Sequence, residues 1–123
     1  MVDGHPFDRD RVTSALEPLL ADDSLGEVWV VSGERGLEGY AVVTWRYSIE
    51  SGGRDALLDE MYVSEPGSGT GSTLIEAVIS AMRNRGLTRV FLETEIGNAA
   101  ARRFYSRHGF SVEDSVWMSL ELG

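Results

Sequence analysis

Residues Glu65 to Leu74 read Glu-Pro-Gly-Ser-Gly-Thr-Gly-Ser-Thr-Leu. They sit between an apolar, strand-like run, Ala56–Val63, and a segment of helical periodicity. A strand that breaks into glycines and restarts as a helix leaves backbone N–H groups pointing outward without partners. Such a place binds phosphate or another anion. Two nucleotide motifs fit poorly. The P-loop needs a lysine just before its Ser/Thr to reach the β- and γ-phosphates. That place is Gly71 here, and the chain contains no lysine. The dinucleotide fingerprint spaces its glycines G-x-G-x-x-G, whereas these fall as G-x-G-x-G. A plain glycine turn is the remaining alternative, and the loop alone does not choose between it and an anion site.

The totals narrow the field. A chain of 123 residues suffices for one compact domain, so residues 1–123 read as a single domain with residues 1–6 as a mobile tail. There is no cysteine, which excludes disulfides, thiolate metal sites and cysteine nucleophiles. No metal site is expected. No apolar run approaches the roughly 20 residues of a membrane span, and the N-terminus lacks the basic start and apolar stretch of a signal peptide. The expectation is a cytoplasmic protein without membrane partners. The formal charge is -9, and it is uneven: residues 1–60 carry 13 acids against 5 arginines, residues 61–123 carry 7 against 6. An acidic first half argues against nucleic acid and suits a cationic substrate or a solvated acidic surface.

The elements that must position the loop follow from periodicity. Val12, Leu16, Leu19 and Leu20 have helical spacing over residues 8–21, interrupted by Pro18, where a kink or a new turn is expected. Residues 27–32, 38–49 and 55–63 read as three strands joined by glycine turns, an antiparallel meander. Residues 72–85 place Leu74, Ile75, Val78, Ile79 and Met82 on one helical face, and Gly86 is a stop. Residues 88–94 read as a strand. A strand, a helix and a strand in this order give parallel pairing with a right-handed crossover. Residues 98–108 form a second helix with Ala101, Phe104, Tyr105 and His108 on one stripe. Residues 115–122 alternate and predict a final strand. The fold class is α+β, with a mixed central sheet. The N-terminal meander leads into a β-α-β-α-β unit.

After the β-α-β unit comes Asn98-Ala99-Ala100-Ala101-Arg102-Arg103-Phe104-Tyr105-Ser106-Arg107-His108-Gly109-Phe110. Together with the glycine turn, this resembles the GNAT N-acetyltransferase superfamily. Its members follow a strand ending in Val with Arg/Gln-x-x-Gly-x-Gly, a helix, a strand, and Asn-x-x-Ala-x-x-Phe/Leu-Tyr-x-x-x-Gly-Phe. Asn98, Ala101, Phe104, Tyr105, Gly109 and Phe110 match the last pattern. The run Leu57–Val63 also looks like the family's fourth strand. The resemblance covers about residues 27–122.

The resemblance implies an acyl-CoA N-acyltransferase fold whose parallel strands splay apart around acetyl-CoA, the co-substrate. It implies that Met61 and Val63 offer backbone hydrogen bonds to the pantetheine arm. The N–H groups of Gly67, Ser68, Gly69, Thr70, Gly71 and Ser72 would take the pyrophosphate, and Asn98 would lie near the pantetheine. The reaction implied is transfer of the acetyl group to a primary amine by direct attack in a ternary complex. A carboxylate must then take the amine's proton, backbone donors can stabilise an oxyanion, and Tyr105 is placed to protonate the departing thiolate. Glu60 is the first choice for the base, with Asp59 and Glu93 as rivals. Strict alternation puts Leu58, Glu60 and Tyr62 on one face and Asp59, Met61 and Val63 on the other. Arg102, Arg103 and Arg107 are candidates for a coenzyme phosphate or a solvated helix face. His108 reads as structural. Trp29, Trp45 and Tyr47 read as core or as lining of an acceptor pocket.

Two departures from the family pattern bear on function. Pro66 stands at the family's Arg/Gln position, so a phosphate-contacting side chain is missing. The N-terminal region is also short, which implies an open acceptor site or one completed by a second copy in a homodimer. The acceptor is a small-molecule or protein amine. The alternative is a catalytically degenerate domain of the same fold that binds acyl-CoA or a protein partner.

Overall fold

A computed structural model of the chain describes residues 17–123 apart from Leu19. The elements are β1 (Gly26–Gly33), β2 (Gly36–Ser48), β3 (Gly53–Val63), α1 (Thr70–Asn84), β4 (Val90–Leu92) and α2 (Ala99–Arg107). Glu17, Pro18, Leu20 and Ala21 are helical. The remainder of the helix expected over residues 8–21, and the tail at 1–6, lie outside the described residues.

The four strands form one sheet in the order β1-β2-β3-β4. The first two pairings are antiparallel, as a meander with glycine turns requires. The pairing of β3 with β4 is parallel and only three residues long: Ala56 with Val90, Leu57 with Phe91, Leu58 with Leu92. Beyond Leu58 the two chains part. β3 runs on for five more residues without β4 beside it. The parallel, splaying strands expected from the sequence are therefore present.

The core lies between the sheet and the two helices. Ala41, Val43, Ala56, Leu58 and Met61 meet Leu74, Ile75, Val78 and Met82 of α1 and Ala101 and Tyr105 of α2. The apolar stripe of α1 is buried, as its period demands. Burying one such Leu, Ile or Val side chain is worth roughly 1.5–3 kcal/mol, so this stripe holds α1, and with it the glycine turn, against β2 and β3.

Two sequence expectations are corrected. The alternation of residues 115–122 does not produce a strand; the segment is extended chain outside the sheet. Val116, Trp117, Met118, Leu120 and Leu122 are between 72% and 92% exposed. Alternation marks a tendency, but a strand needs a neighbour to pair with. Side-chain anchors hold this segment instead. Arg89 pairs with Glu113 at 3.1 Å, and the Arg46 guanidinium lies 5.7 Å from the Trp117 ring. The second correction concerns β3. Its register against β2 shifts between Val42 and Val43: Val42 faces Glu60 but Val43 faces Leu58. Asp59 is the extra residue of a β-bulge. Leu58 and Met61 consequently both point into the core, and Glu60 shares the opposite face with Tyr62 and with Tyr40 of β2. Leu58 and Glu60 do not share a face, because the bulge breaks the two-residue period.

Candidate active site

The gap between β3 and β4 opens into a cleft of about 600 Å³. One wall is Leu57–Met61 of β3; the other is Phe91–Glu95, at and beyond β4. Arg102 and Tyr105 of α2 form the floor, and the C-terminal segment contributes Val112, Glu113 and Trp117. Asp59, Glu60 and Glu93, the three acids weighed as bases, all line this one cleft together with Tyr105. They come from β3 and from the residue just past β4, with a helix between them in the chain, and only the splayed pairing brings them together.

Backbone geometry on the β3 side is set by its pairing. The Ser64 N–H donates to the Glu38 carbonyl at 2.9 Å. In an antiparallel ladder alternate residues direct both backbone groups to the same neighbour. Met61 and Val63 therefore turn their N–H and C=O groups away from β2, toward the gap. The Met61 side chain itself is buried in the core, so its part in any ligand contact is that of its main chain.

The glycine turn delivers α1 with its first turn unfilled. The cap residue Gly69 has φ 91° and no side chain to accept from the helix N–H groups. No acid stands in the first turn. A Cβ at Gly67 (φ +85°) or Gly69 would meet nothing within 4 Å, so the space over the turn is open, and it is the left-handed backbone that calls for glycine at both. The Ser68 hydroxyl lies 3.4 Å from the Thr70 N–H, which donates to it, and the Thr73 N–H donates to the Gly69 carbonyl at 3.1 Å. The amides of Gly71 and Ser72 lie between them at the positive end of the helix. Gly71 serves packing as well: a Cβ there would come 3.3 Å from the Phe104 ring. These features fit a diphosphate. Arg107 lies with its guanidinium 5.8 Å from the same Phe104 ring, which places it on the α2 side of the turn. Arg102, by contrast, lines the cleft, and its Nη1 donates to the Glu95 carbonyl at 2.7 Å.

The second motif explains Tyr105. The Asn98 side-chain oxygen accepts from the Ala101 N–H at 3.0 Å and caps α2. Gly109 (φ 98°) ends the helix. The Gly109 N–H donates to the Ser106 carbonyl and the Phe110 N–H to the Tyr105 carbonyl, both at 3.1 Å, a Schellman closure. The closure lays Phe110 edge-on to Tyr105, with ring centroids 5.7 Å apart. Phe104 meets Tyr105 at 5.1 Å from the other side. The tyrosine is thus clamped between two rings, and burial pushes its phenol up to about 12. It is a proton donor throughout the neutral range.

His108 is held at the same junction. Its Nε2 lies 3.2 Å from the Ser72 hydroxyl, and its Nδ1 is 3.8 Å from Glu76. It ties the end of α2 to the start of α1, a structural position. Trp29 and Trp45 pack against the core, and Tyr47 is exposed; none lines the cleft. Arg46 does not neutralise a candidate base, since its partner is the buried Asp55, 3.1 Å away. Sequence reasoning passed over Tyr40, whose hydroxyl donates to Glu60 Oε1 at 2.7 Å. The hairpin register was the signal that could have found it, because Tyr40 pairs with Tyr62.

A mixed sheet that opens into a wedge beside an uncapped, glycine-started helix defines the class of acyl-CoA N-acyltransferase folds. Comparison with known proteins agrees. The profile of the acetyltransferase (GNAT) family matches residues 3–110. An integron cassette protein from the mobile metagenome of Cole Harbour Salt Marsh superposes with a TM-score of 0.83 at 25% identity, over 98% of this chain and 75% of that one. A candidate acetyltransferase from Arthrobacter sp. FB24 superposes with a TM-score of 0.79 at 31% identity, over 97% and 80%. N-alpha-acetyltransferase 30 of Schizosaccharomyces pombe is 46% identical over 44 residues, which span 36% of this chain and 29% of that protein. The chain belongs to the acetyltransferase (GNAT) family. That family uses acetyl-CoA as co-substrate and acts on amines.

Proposed function

We propose that the protein moves the acetyl group of acetyl-CoA to a primary amine by direct attack inside the β3–β4 cleft. One observation carries this reading: Glu60 and Tyr105, a carboxylate and a protonated phenol, line the same cleft that the main chain of Met61 borders. The coenzyme supplies an acetyl thioester. The chain's residues do the rest. The amides of Gly67, Gly69, Gly71 and Ser72 anchor the diphosphate, while those of Ser68 and Thr70 donate within the turn, to the Glu65 carbonyl and the Ser68 hydroxyl; the main chain of Met61 and Val63 holds the pantetheine arm in the gap, with Asn98 beside it. Glu60 takes a proton from the acceptor ammonium, directly or through water, so that the nitrogen can attack. Tyr105 gives its proton to the departing sulfur. A backbone N–H of β3 facing the gap is in position to steady negative charge on the carbonyl oxygen.

The acceptor is a cationic amine. Asp59, Glu60, Glu93, Glu95 and Glu113 line the cleft against Arg102 alone, a balance that favours an ammonium group. A peptide N-terminus is the favoured form, supported by the name of the fission-yeast relative; a small amine is the other. Pro66 in the turn keeps a second reading in play, a domain that binds acyl-CoA without turning it over. Thioester consumption measured with a panel of peptides and small amines tests both. Release of free thiol with at least one amine supports the enzyme. Binding of coenzyme A with no turnover on any amine supports the second reading, and no binding removes both.

A further inference from the structure

The bulge at Asp59 has an outcome that reaches β2. It parts Glu60 from Leu58, which turns to the core, and leaves Glu60 on the face that carries Tyr40 and Tyr62. The two tyrosine rings lie 5.6 Å apart, and the Tyr40 hydroxyl donates to Glu60 Oε1 at 2.7 Å. Tyr40 itself is held by its neighbour. A Cβ on Gly39 would come 2.8 Å from the Tyr62 carbonyl oxygen and 3.1 Å from the Leu74 side chain. Bare backbone at Gly39 therefore lets α1 press close to the strand pair at this point, and the pair is fixed where Tyr40 leaves it. A carboxylate has two oxygens, and a base that must accept a proton from one direction works best when rotation about its last bond is stopped.

We propose that Tyr40 is a positioning residue for acetyl transfer: its phenol fixes one oxygen of Glu60 and leaves the other to receive the acceptor's proton. This rests on Glu60 being the base. In the step it supports, an N–H bond of the acceptor ammonium breaks and an O–H bond forms on Glu60 Oε2. The electron pair stays on nitrogen for the attack. Tyr40 keeps its own proton throughout. Burial, and then the neighbouring Glu60 carboxylate, push its phenol well above the ordinary tyrosine range, so it remains a donor across the working range. The other titratable groups around Glu60 are Asp59 and Tyr62 on its own strand and, across the cleft, Glu93, Glu95, Arg102, Tyr105 and Glu113. Of these, Tyr62 is the one whose ring packs on Tyr40.

The test compares Tyr40→Phe, Glu60→Gln and the double variant in the full chain, with acetyl-CoA and the best amine of the panel. Tyr40→Phe keeps the ring that packs on Tyr62. It lowers kcat about 10-fold, with KM for acetyl-CoA unchanged. Glu60→Gln costs more, and adding Tyr40→Phe to it costs nothing further, because the group that Tyr40 orients is gone. Tyr40→Gln, which carries its own N–H donor, recovers part of the Phe variant's loss. A large loss in Glu60→Gln with an unchanged kcat in Tyr40→Phe overturns the role of Tyr40 and leaves Glu60 as the base. Full activity in Glu60→Gln removes Glu60 as the base and this inference with it.

Discussion

Replacing Tyr105 by Phe separates chemistry from binding. The ring stays: Phe104 at 5.1 Å and Phe110 at 5.7 Å pack on carbon atoms that both side chains share. Only the hydroxyl is lost, and with it the proton for the departing sulfur. Removing a general acid costs typically 10²–10⁴-fold. We expect the low end, about 100-fold in kcat or about 2.7 kcal/mol of barrier, because a thiolate is a fair leaving group without help. Coenzyme affinity is expected to hold, since the diphosphate amides lie on another element. The same variant carries a second, independent signature. The folded phenol titrates near 12 against an ordinary 10.0. The folded state thus keeps a proton that the unfolded state sheds, and the associated stability is present below pH 10 and lost as pH rises toward 12. The loss is on the order of 1–2 kcal/mol. In Tyr105→Phe that part of the alkaline decline disappears, so the difference in urea-unfolding free energy between the two proteins narrows from pH 9 to pH 12, a window on the order of the shift itself. Steady-state kinetics with calorimetry of coenzyme binding, and urea titrations across that range, read out the two effects. Unchanged kcat would refute the proton-donor role; a parallel alkaline decline in both proteins would refute the burial argument.

Three further changes probe the frame. Gly69→Ala forces a Cβ into a left-handed cap (φ 91°); it should cost about 1–2 kcal/mol of stability and weaken coenzyme A binding, measured by calorimetry. Asn98→Ala removes the cap that accepts from Ala101 and should cost about 1 kcal/mol, read as a lower Tm. Asp55→Ala leaves Arg46 without the carboxylate at 3.1 Å in a fully buried position. It should destabilise by about 3 kcal/mol, seen in urea midpoints, with the activity of the protein that remains folded preserved.

Local pattern carried much of this protein. The three glycines of the turn, the apolar stripe of α1 and the Asn98-to-Phe110 run are short-range signals. Each specifies its own backbone: a left-handed cap, a buried face, a capped and closed helix. They suffice for the element order, the parallel β3–β4 pair and the membership of the family. Faces and neighbours were another matter. Strict alternation misplaced Leu58 relative to Glu60, because a bulge is a register event between two strands and leaves no mark in the sequence of either one alone. The strand expected over residues 115–122 failed for a related reason. Its alternation is genuine, but a strand exists only where a neighbour pairs with it, and this segment lies outside the sheet. The Tyr40–Glu60 hydrogen bond spans 20 residues and exists only once β2 and β3 are in register. What a residue does to its own backbone could be read from the chain; which oxygen it faces across a sheet had to wait for the fold, since that contact is set by packing between segments distant in sequence.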